Sequence, residues 1–164
     1  MDKAEKFEKQ ILKDVSLDGI GPKVKRPRGP VDHWTPVILH ERGEYLKKLA
    51  KNGNGAAGET LHEFPQHYAM LSFRDRGGEA ETHENFADLF VVVAGVATLI
   101  TGGTIVGAHT VKPGEIRGSA IEGGTSQQIR AGDIIHIPAG TPHQTMVSSE
   151  ITFTNFVMKI QETA

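Results

Sequence analysis

The sequence predicts an all-β protein built as a barrel or a sandwich, and two observations support that fold class. Glycine and proline are abundant, with 19 and 8 residues among 164, which favours many short elements joined by turns. Short apolar or alternating runs also recur through the last two thirds of the chain, each bounded by turn-forming residues. Strands at this spacing are typical of β-sandwiches and β-barrels.

The strand signals become clear after residue 66. The expected strands cover residues 68–73, 80–83, 89–93, 97–101, 105–108, 114–121, 126–129, 134–137, 144–147 and 151–160. Residues 89–93 are apolar without interruption, which predicts a strand that is buried on both faces. We expect Gly95 to break the chain's extended course before the next strand begins.

The chain is predicted to divide into an N-terminal arm with short helices, residues 1–65, and a barrel on which the arm packs, residues 66–164. Residues 3–15 place apolar side chains on one helical face, which predicts a short amphipathic helix. Residues 18–30 combine glycine, proline and basic residues, a composition typical of an extended arm or linker.

The rest of the arm carries weaker signals. Residues 41–51 are expected to form a helix that ends at the asparagine–glycine run following it. Residues 56–60 are expected to form a mobile loop. Trp34 is the only tryptophan, and we expect it to anchor the arm to the core rather than to contact a ligand.

Composition excludes several function classes. The net charge is -2 and charged residues make up 23% of the chain, so nucleic acid and membrane are not expected as partners. The chain has no cysteine, hence no disulfide, thiolate nucleophile or cysteine-bound zinc. The first residues lack the apolar stretch of a signal peptide. The cytoplasm is therefore the default expectation, although removal of a signal would leave the same sequence.

Residues 132–143 combine a short apolar strand with a proline–glycine turn that ends on a histidine. Pro138 lacks an N–H and must end the strand or lie at an edge. Gly140 allows backbone angles that a side chain would forbid, and Pro142 holds the residue before it in an extended conformation. The resulting rigid turn presents His143 as a metal ligand or catalytic base. In isolation, the same pattern also suits a tight turn with an ordinary loop histidine.

A second polar group precedes the apolar run. Glu81 and His83 are two residues apart on a predicted strand and therefore share one face. Asp88 lies at the head of the buried strand, where its charge needs a metal ion or hydrogen bonds. Taken alone, the three residues can also be interpreted simply as polar side chains that flank a turn.

Together the two stretches resemble the paired motifs of the cupin superfamily. The second cupin motif consists of a glycine, five residues, a proline, one residue, a glycine, two residues and a histidine. Gly132, Pro138, Gly140 and His143 match it fully.

The first cupin motif is matched less completely. It has two histidines separated by one residue, then a glutamate, then a glycine after six residues. His83 falls at the second histidine, Asp88 at the glutamate and Gly95 at the glycine, whereas Glu81 replaces the first histidine. The resemblance extends over roughly residues 66–160.

The resemblance implies a jelly-roll barrel, or double-stranded β-helix, with one divalent metal ion at its mouth. His83, Asp88 and His143 would be ligands, and Glu81 would be a fourth. Oxygen and nitrogen ligands without thiolate suit Fe, Mn, Ni or Zn and do not choose among them. Val147 stands where the second motif often ends in asparagine, which removes a polar group from the pocket. The alternative is a cupin that has lost its metal.

Three kinds of function follow from the resemblance. The first is a metal-dependent enzyme of dioxygenase, isomerase or lyase type, in which the metal acts on a small-molecule substrate as Lewis acid or redox centre. Glu81 would be the catalytic base if it is not a tight ligand. The second is a non-catalytic module that binds a small ligand or a metal. The third is a scaffold, and a homodimer is expected because many cupins are dimeric.

Other polar residues have weaker signals. His136 either faces the barrel as a partner of a metal ligand or faces solvent. Glu115 and Arg117 are two apart on a predicted strand, which favours an ion pair over the binding of an anionic substrate. The remaining histidines lack ligand spacing and are expected at the surface or in caps: His33, His40, His62, His67 and His109.

Overall fold

The computed structural model describes residues 31–162, which form one helix and twelve strands. The predicted helix at 3–15 and the predicted arm at 18–30 lie outside the described residues. The helix is α1, Pro36–Lys51. The strands are β1 Ala56–Glu63, β2 His67–Arg74, β3 Ala80–His83, β4 Phe86–Thr101, β5 Thr104–Val106, β6 His109–Lys112, β7 Glu115–Gly118, β8 Ala120–Glu122, β9 Thr125–Arg130, β10 Ile134–Ile137, β11 His143–Met146 and β12 Phe153–Gln161.

The strands form two antiparallel sheets that share β4. The first half of β4 pairs with β12 and β10, and β12 continues the sheet to β2 and β1. The second half of β4 pairs with β11 and β9, and β11 continues to β3, β7 and β6. The short strands β5 and β8 pair separately. This arrangement is a jelly-roll barrel with a helical extension, which confirms the predicted all-β fold class.

Gly95 marks the passage of β4 from one sheet to the other. Its φ is +85°, and an added Cβ would lie 1.8 Å from the backbone oxygen of Thr152. The pairing with β12 shifts register between Thr154 and Asn155, as in a β-bulge. The expected break between two strands at Gly95 was therefore wrong, because β4 is a single strand that changes its partners here from β12 to β9 and β11.

Two apolar clusters hold the fold together. One lies in the barrel and includes Phe90, Leu99 and Phe153. The other lies between α1 and the outer face of β2, where Leu46 is fully buried. Burial of a side chain of this size stabilises a protein by about 1.5–3 kcal/mol. Trp34 packs on Phe156 with ring centroids 5.4 Å apart, in agreement with its expected anchoring role.

The helix begins earlier than the sequence predicted. The Thr35 side chain accepts a hydrogen bond from the Ile38 N–H, and Pro36 occupies the first helical turn, where a missing N–H costs nothing. Both features place the start at residue 36 instead of 41. Among residues 31–162, no helix has the length and apolar character needed to cross a lipid bilayer.

Two strands were not predicted. Residues 56–60, expected to be a mobile loop, belong to β1, which pairs with β2 along its length. Residues 109–112 form β6, an exposed strand ordered by pairing with β7. Both segments lack a strong apolar alternation, so pairing with a neighbour decides their conformation. The predicted strand at 114–121 is in fact two strands, β7 and β8, which pair with different neighbours.

We expect Gly95→Ala to destabilise the protein far more than Gly123→Ala. Gly123 also has a positive φ, +71°, but an added Cβ there would meet nothing within 4 Å. Both changes should cost the roughly 1–2 kcal/mol of a left-handed conformation. Gly95→Ala should cost about 1–3 kcal/mol more from the clash, measured by urea unfolding. Equal losses of unfolding free energy would contradict this, because they would show that the backbone at Thr152 shifts enough to relieve the clash.

Candidate functional site

A cavity of about 430 Å³ lies between the two sheets. Side chains on alternate positions of the strands line it, because successive residues of a strand point to opposite faces. On β2, Tyr68, Met70, Ser72 and Arg74 line the cavity, whereas the residues between them are buried and pack in the apolar cluster beneath α1.

Three of the predicted metal ligands meet at one end of this cavity. His143 is directly opposite Glu81 in the pairing of β11 with β3, and His83 shares the face of Glu81. His143 Nε2 lies 3.4 Å from Glu81 Oε1, and His83 Nε2 lies 3.9 Å from Glu81 Oε2. One potential ligand atom of each of these three residues lies within 4.8 Å of the other two.

The His143 ring is oriented by the turn before it. Its Nδ1 lies 3.0 Å from the carbonyl oxygen of Thr141, and since a carbonyl only accepts, we assign the Nδ1 proton to this bond. Nε2 is buried and has no hydrogen-bond partner among the described residues. A ring nitrogen held in this way is typical of a histidine metal ligand.

Asp88 contributes a fourth group. Its Oδ2 lies 3.3 Å from His143 Nε2 and 3.8 Å from His83 Nε2. The other oxygen, Oδ1, is buried without a hydrogen-bond partner in the described part of the chain. An orphaned carboxylate oxygen beside two imidazoles is a reason to expect a further ligand there.

Lys159 also belongs to this group, although it was not among the residues predicted from the sequence. It is opposite Asp88 in the pairing of β12 with β4. Its Nζ lies 2.6 Å from Asp88 Oδ2 and 2.7 Å from His83 Nε2. Phe153 and Lys159 are an even number of residues apart on β12, so both side chains point to the same face, towards the cavity. That signal was present, but the contact with Asp88 depends on which strands pair.

Glu81, His83, Asp88, His143 and Lys159 form one charged cluster, which shifts the pKa of three of its members. Burial alone would raise the pKa of Glu81, but contacts with His143 and His83, with Lys159 nearby, hold it well below its usual range. Burial also opposes the shift of Asp88, whose pKa is lowered by His143 and Lys159. Burial would lower the pKa of His143, yet Asp88 and Glu81 raise it to about 9. Without metal, His143 therefore forms ion pairs with Glu81 and Asp88.

A second charged network borders the cavity at β7. Arg117 lies 2.7 Å from Glu115, 3.2 Å from Glu81 and 3.4 Å from Glu79. Lys112 lies 2.9 Å from Glu115. The expected ion pair of Glu115 and Arg117 is therefore confirmed, as part of a larger network.

The other histidines stand mostly as the sequence indicated. His136 faces outward, with 56% of its side chain exposed and a distance of 4.0 Å to Glu162. His62 differs from expectation, because it is largely buried and its Nδ1 lies 2.5 Å from Asp32 Oδ2. Val147 is buried in the apolar cluster of the barrel.

Comparison with known proteins is informative at the level of structure. No family model matches the sequence, and no curated protein matches it. A solved structure from Bacillus halodurans covers 85% of this chain and 89% of its own, with 14% identity and a TM-score of 0.53.

Two further solved structures carry descriptions of their fold. A Klebsiella pneumoniae protein with a double-stranded β-helix domain is 19% identical, covers 66% of this chain and 79% of its own, and has a TM-score of 0.49. A cupin 2 conserved barrel domain protein from Salinispora arenicola is 15% identical over 66% of this chain and 77% of its own, with a TM-score of 0.46.

The chain has the cupin fold. The deciding observation is the pair of sheets that share β4, with the two motif stretches meeting at one end of the cavity between them. At these identities the likeness concerns the fold alone and says nothing of activity.

Tyr68 allows a test of the charge distribution in the cavity. Burial and then the carboxylates of Asp88, Glu115 and Glu81 raise its pKa to about 12. The unfolded phenol ionises near pH 10, so the stability that the neutral phenol contributes is complete below that pH and is lost as pH rises towards 12. Between about pH 9.5 and 11, Tyr68→Phe should lose less free energy of unfolding than the wild type. Identical losses would contradict the shift.

Proposed function

We propose that this protein is a mononuclear metalloprotein that acts on a small molecule held in the cavity. The metal is one divalent transition ion bound by Glu81, His83 and His143. The observation that carries the proposal is the convergence of these three groups within 4.8 Å, with the His143 ring already oriented by Thr141. Two histidines and one carboxylate bind Fe(II), Mn(II), Ni(II) or Zn(II) while leaving open positions for other ligands.

Asp88 is the proposed fourth ligand. Its orphaned Oδ1 and the short distances from Oδ2 to both imidazoles support this role. Lys159 is an argument against this role, because its ammonium already contacts Asp88 Oδ2 and the His83 nitrogen that would bind a metal. Lys159 and a metal ion therefore compete for the same groups.

A bound ion would supply Lewis-acid chemistry, or redox chemistry if it is iron or manganese. The residues of the chain would position the reacting molecule and exclude water from it. Glu81 is proposed mainly as a ligand, since its low pKa makes the carboxylate a weak proton acceptor. As a catalytic base, its second candidate role, it would have to lose its contacts with the histidines.

A second candidate function is a metal-free module that binds a small ligand. The specific observation in its favour is Lys159, whose ammonium contacts both Asp88 and His83. A fixed cation there offsets the buried carboxylate of Asp88 without any metal.

Elemental analysis of protein purified without chelator tests the metal proposal. We expect about one equivalent of metal, and at least a tenfold loss of affinity in His143→Ala, since a ligand is removed. His136→Ala is the matched control, because the His136 side chain is exposed and is not one of the proposed ligands. Failure of the folded wild type to bind Fe, Mn, Ni or Zn on reconstitution would reject the proposal.

Lys159→Met separates the two candidate functions. Breaking a buried ion pair should destabilise the metal-free protein by about 3–5 kcal/mol. If Lys159 competes with metal, the variant should bind zinc more tightly than the wild type and be stabilised more by it. The measurement is the thermal midpoint with and without zinc. Zinc that stabilises neither protein would favour the metal-free module.

A further inference from the structure

The charged side chains that line the cavity are almost all paired, with one exception. Three of its four basic residues contact carboxylates: Lys112 with Glu115, Arg117 with Glu81, Glu115 and Glu79, and Lys159 with Asp88. The fourth, Arg74, makes no hydrogen bond or ion pair with any other residue of the described range 31–162. A half-buried guanidinium without such a partner is unusual, because burial of an unpaired charge costs free energy.

The position of Arg74 is built into the fold. It is the last residue of β2 and is paired with Phe153 of β12 and Ala56 of β1. Its guanidinium lies over Gly78, where an added Cβ would come within 2.0 Å of Arg74 Nη1. The absence of a side chain at Gly78 thus leaves the room that the guanidinium occupies.

Glu81 and Arg117 act on Arg74 electrostatically, in opposite directions. Burial lowers its pKa, Glu81 opposes this, and Arg117 lowers it further, so that the pKa stays below its usual value. Arginine nevertheless remains charged. Glu81, the carboxylate that acts on it, is already engaged with both histidines and Arg117.

We propose that Arg74 binds the carboxylate of the small molecule that the cavity accepts. This rests on the proposed function, whose substrate class it narrows to small monocarboxylic acids with an apolar body. A guanidinium fork matches a carboxylate through two parallel hydrogen bonds. The cavity volume of about 430 Å³ suits a small molecule.

The lining supports a singly charged acid over a phosphate ester. Five acidic residues line the cavity against four basic ones, so a dianion would meet more repulsion than a monoanion. Apolar side chains lie on the same walls and would accept the body of the acid: Met70, Phe90, Phe153 and Val157. The molecule would lie with its carboxylate on Arg74 and its other end towards the histidine cluster.

The test compares hexanoate with hexanamide, a neutral probe of nearly the same shape, in chelator-treated full-length protein. Ligand-observed NMR titration is the measurement. We expect hexanoate to bind at least about tenfold more tightly than hexanamide, and Arg74→Met to abolish that preference. Arg74→Lys should restore part of it. Arg76→Met is the control, because Arg76 is an exposed arginine of the neighbouring turn.

The outcomes distinguish the subsite from the metal centre. Equal binding of the two probes, absence of hexanoate binding, or an unchanged preference in Arg74→Met would overturn the subsite. Metal content of Arg74→Met, measured in parallel, should equal that of the wild type. Hexanoate preference in a wild type that binds no metal would support the subsite and reject the metal proposal. Metal binding without a preference for hexanoate over hexanamide would support the metal proposal and reject the subsite.

Discussion

The structure depends on a single long strand that belongs to two sheets. β4 covers 16 residues and pairs with β12 and β10 before its bend, and with β11 and β9 after it. The bend needs a residue without a side chain at position 95, because a backbone oxygen lies where a Cβ would be. Every residue of the cluster is on β4 or on a strand reached from it through one or two pairings.

The buried charges of the site balance each other without fully satisfying every atom. Asp88, His143 and Lys159 form contacts of 2.6–3.3 Å, yet Asp88 Oδ1 and His143 Nε2 keep no hydrogen-bond partner among residues 31–162. Partly satisfied polar networks are costly, so they tend to persist where they serve a ligand. The same reasoning applies to Arg74, whose charge lacks a carboxylate contact. Both features concern the same cavity, which supports its proposed role as the binding site.

The sequence predicted local features well and spatial pairing poorly. The turn that presents His143 and the boundaries of β3 and β10 follow from proline, glycine and strand alternation, which act within a few residues. Lys159 and Arg74 were missed as site residues, because their importance depends on the strands next to them. The strand β1 was missed for the same reason, since its first residues have no strand pattern of their own and are held by β2.

The position of β12 in the sheet has a consequence for the order of folding. This strand lies between β2 and β4, although it follows all other described strands in the chain. During synthesis, β2 and β4 emerge before β12, which follows them on the order of seconds later. Their facing edges, and the carboxylate of Asp88, remain uncovered in the meantime. The sheet that contains β2, β12 and β4 and the ion pair of Lys159 with Asp88 are thus completed together, late in synthesis.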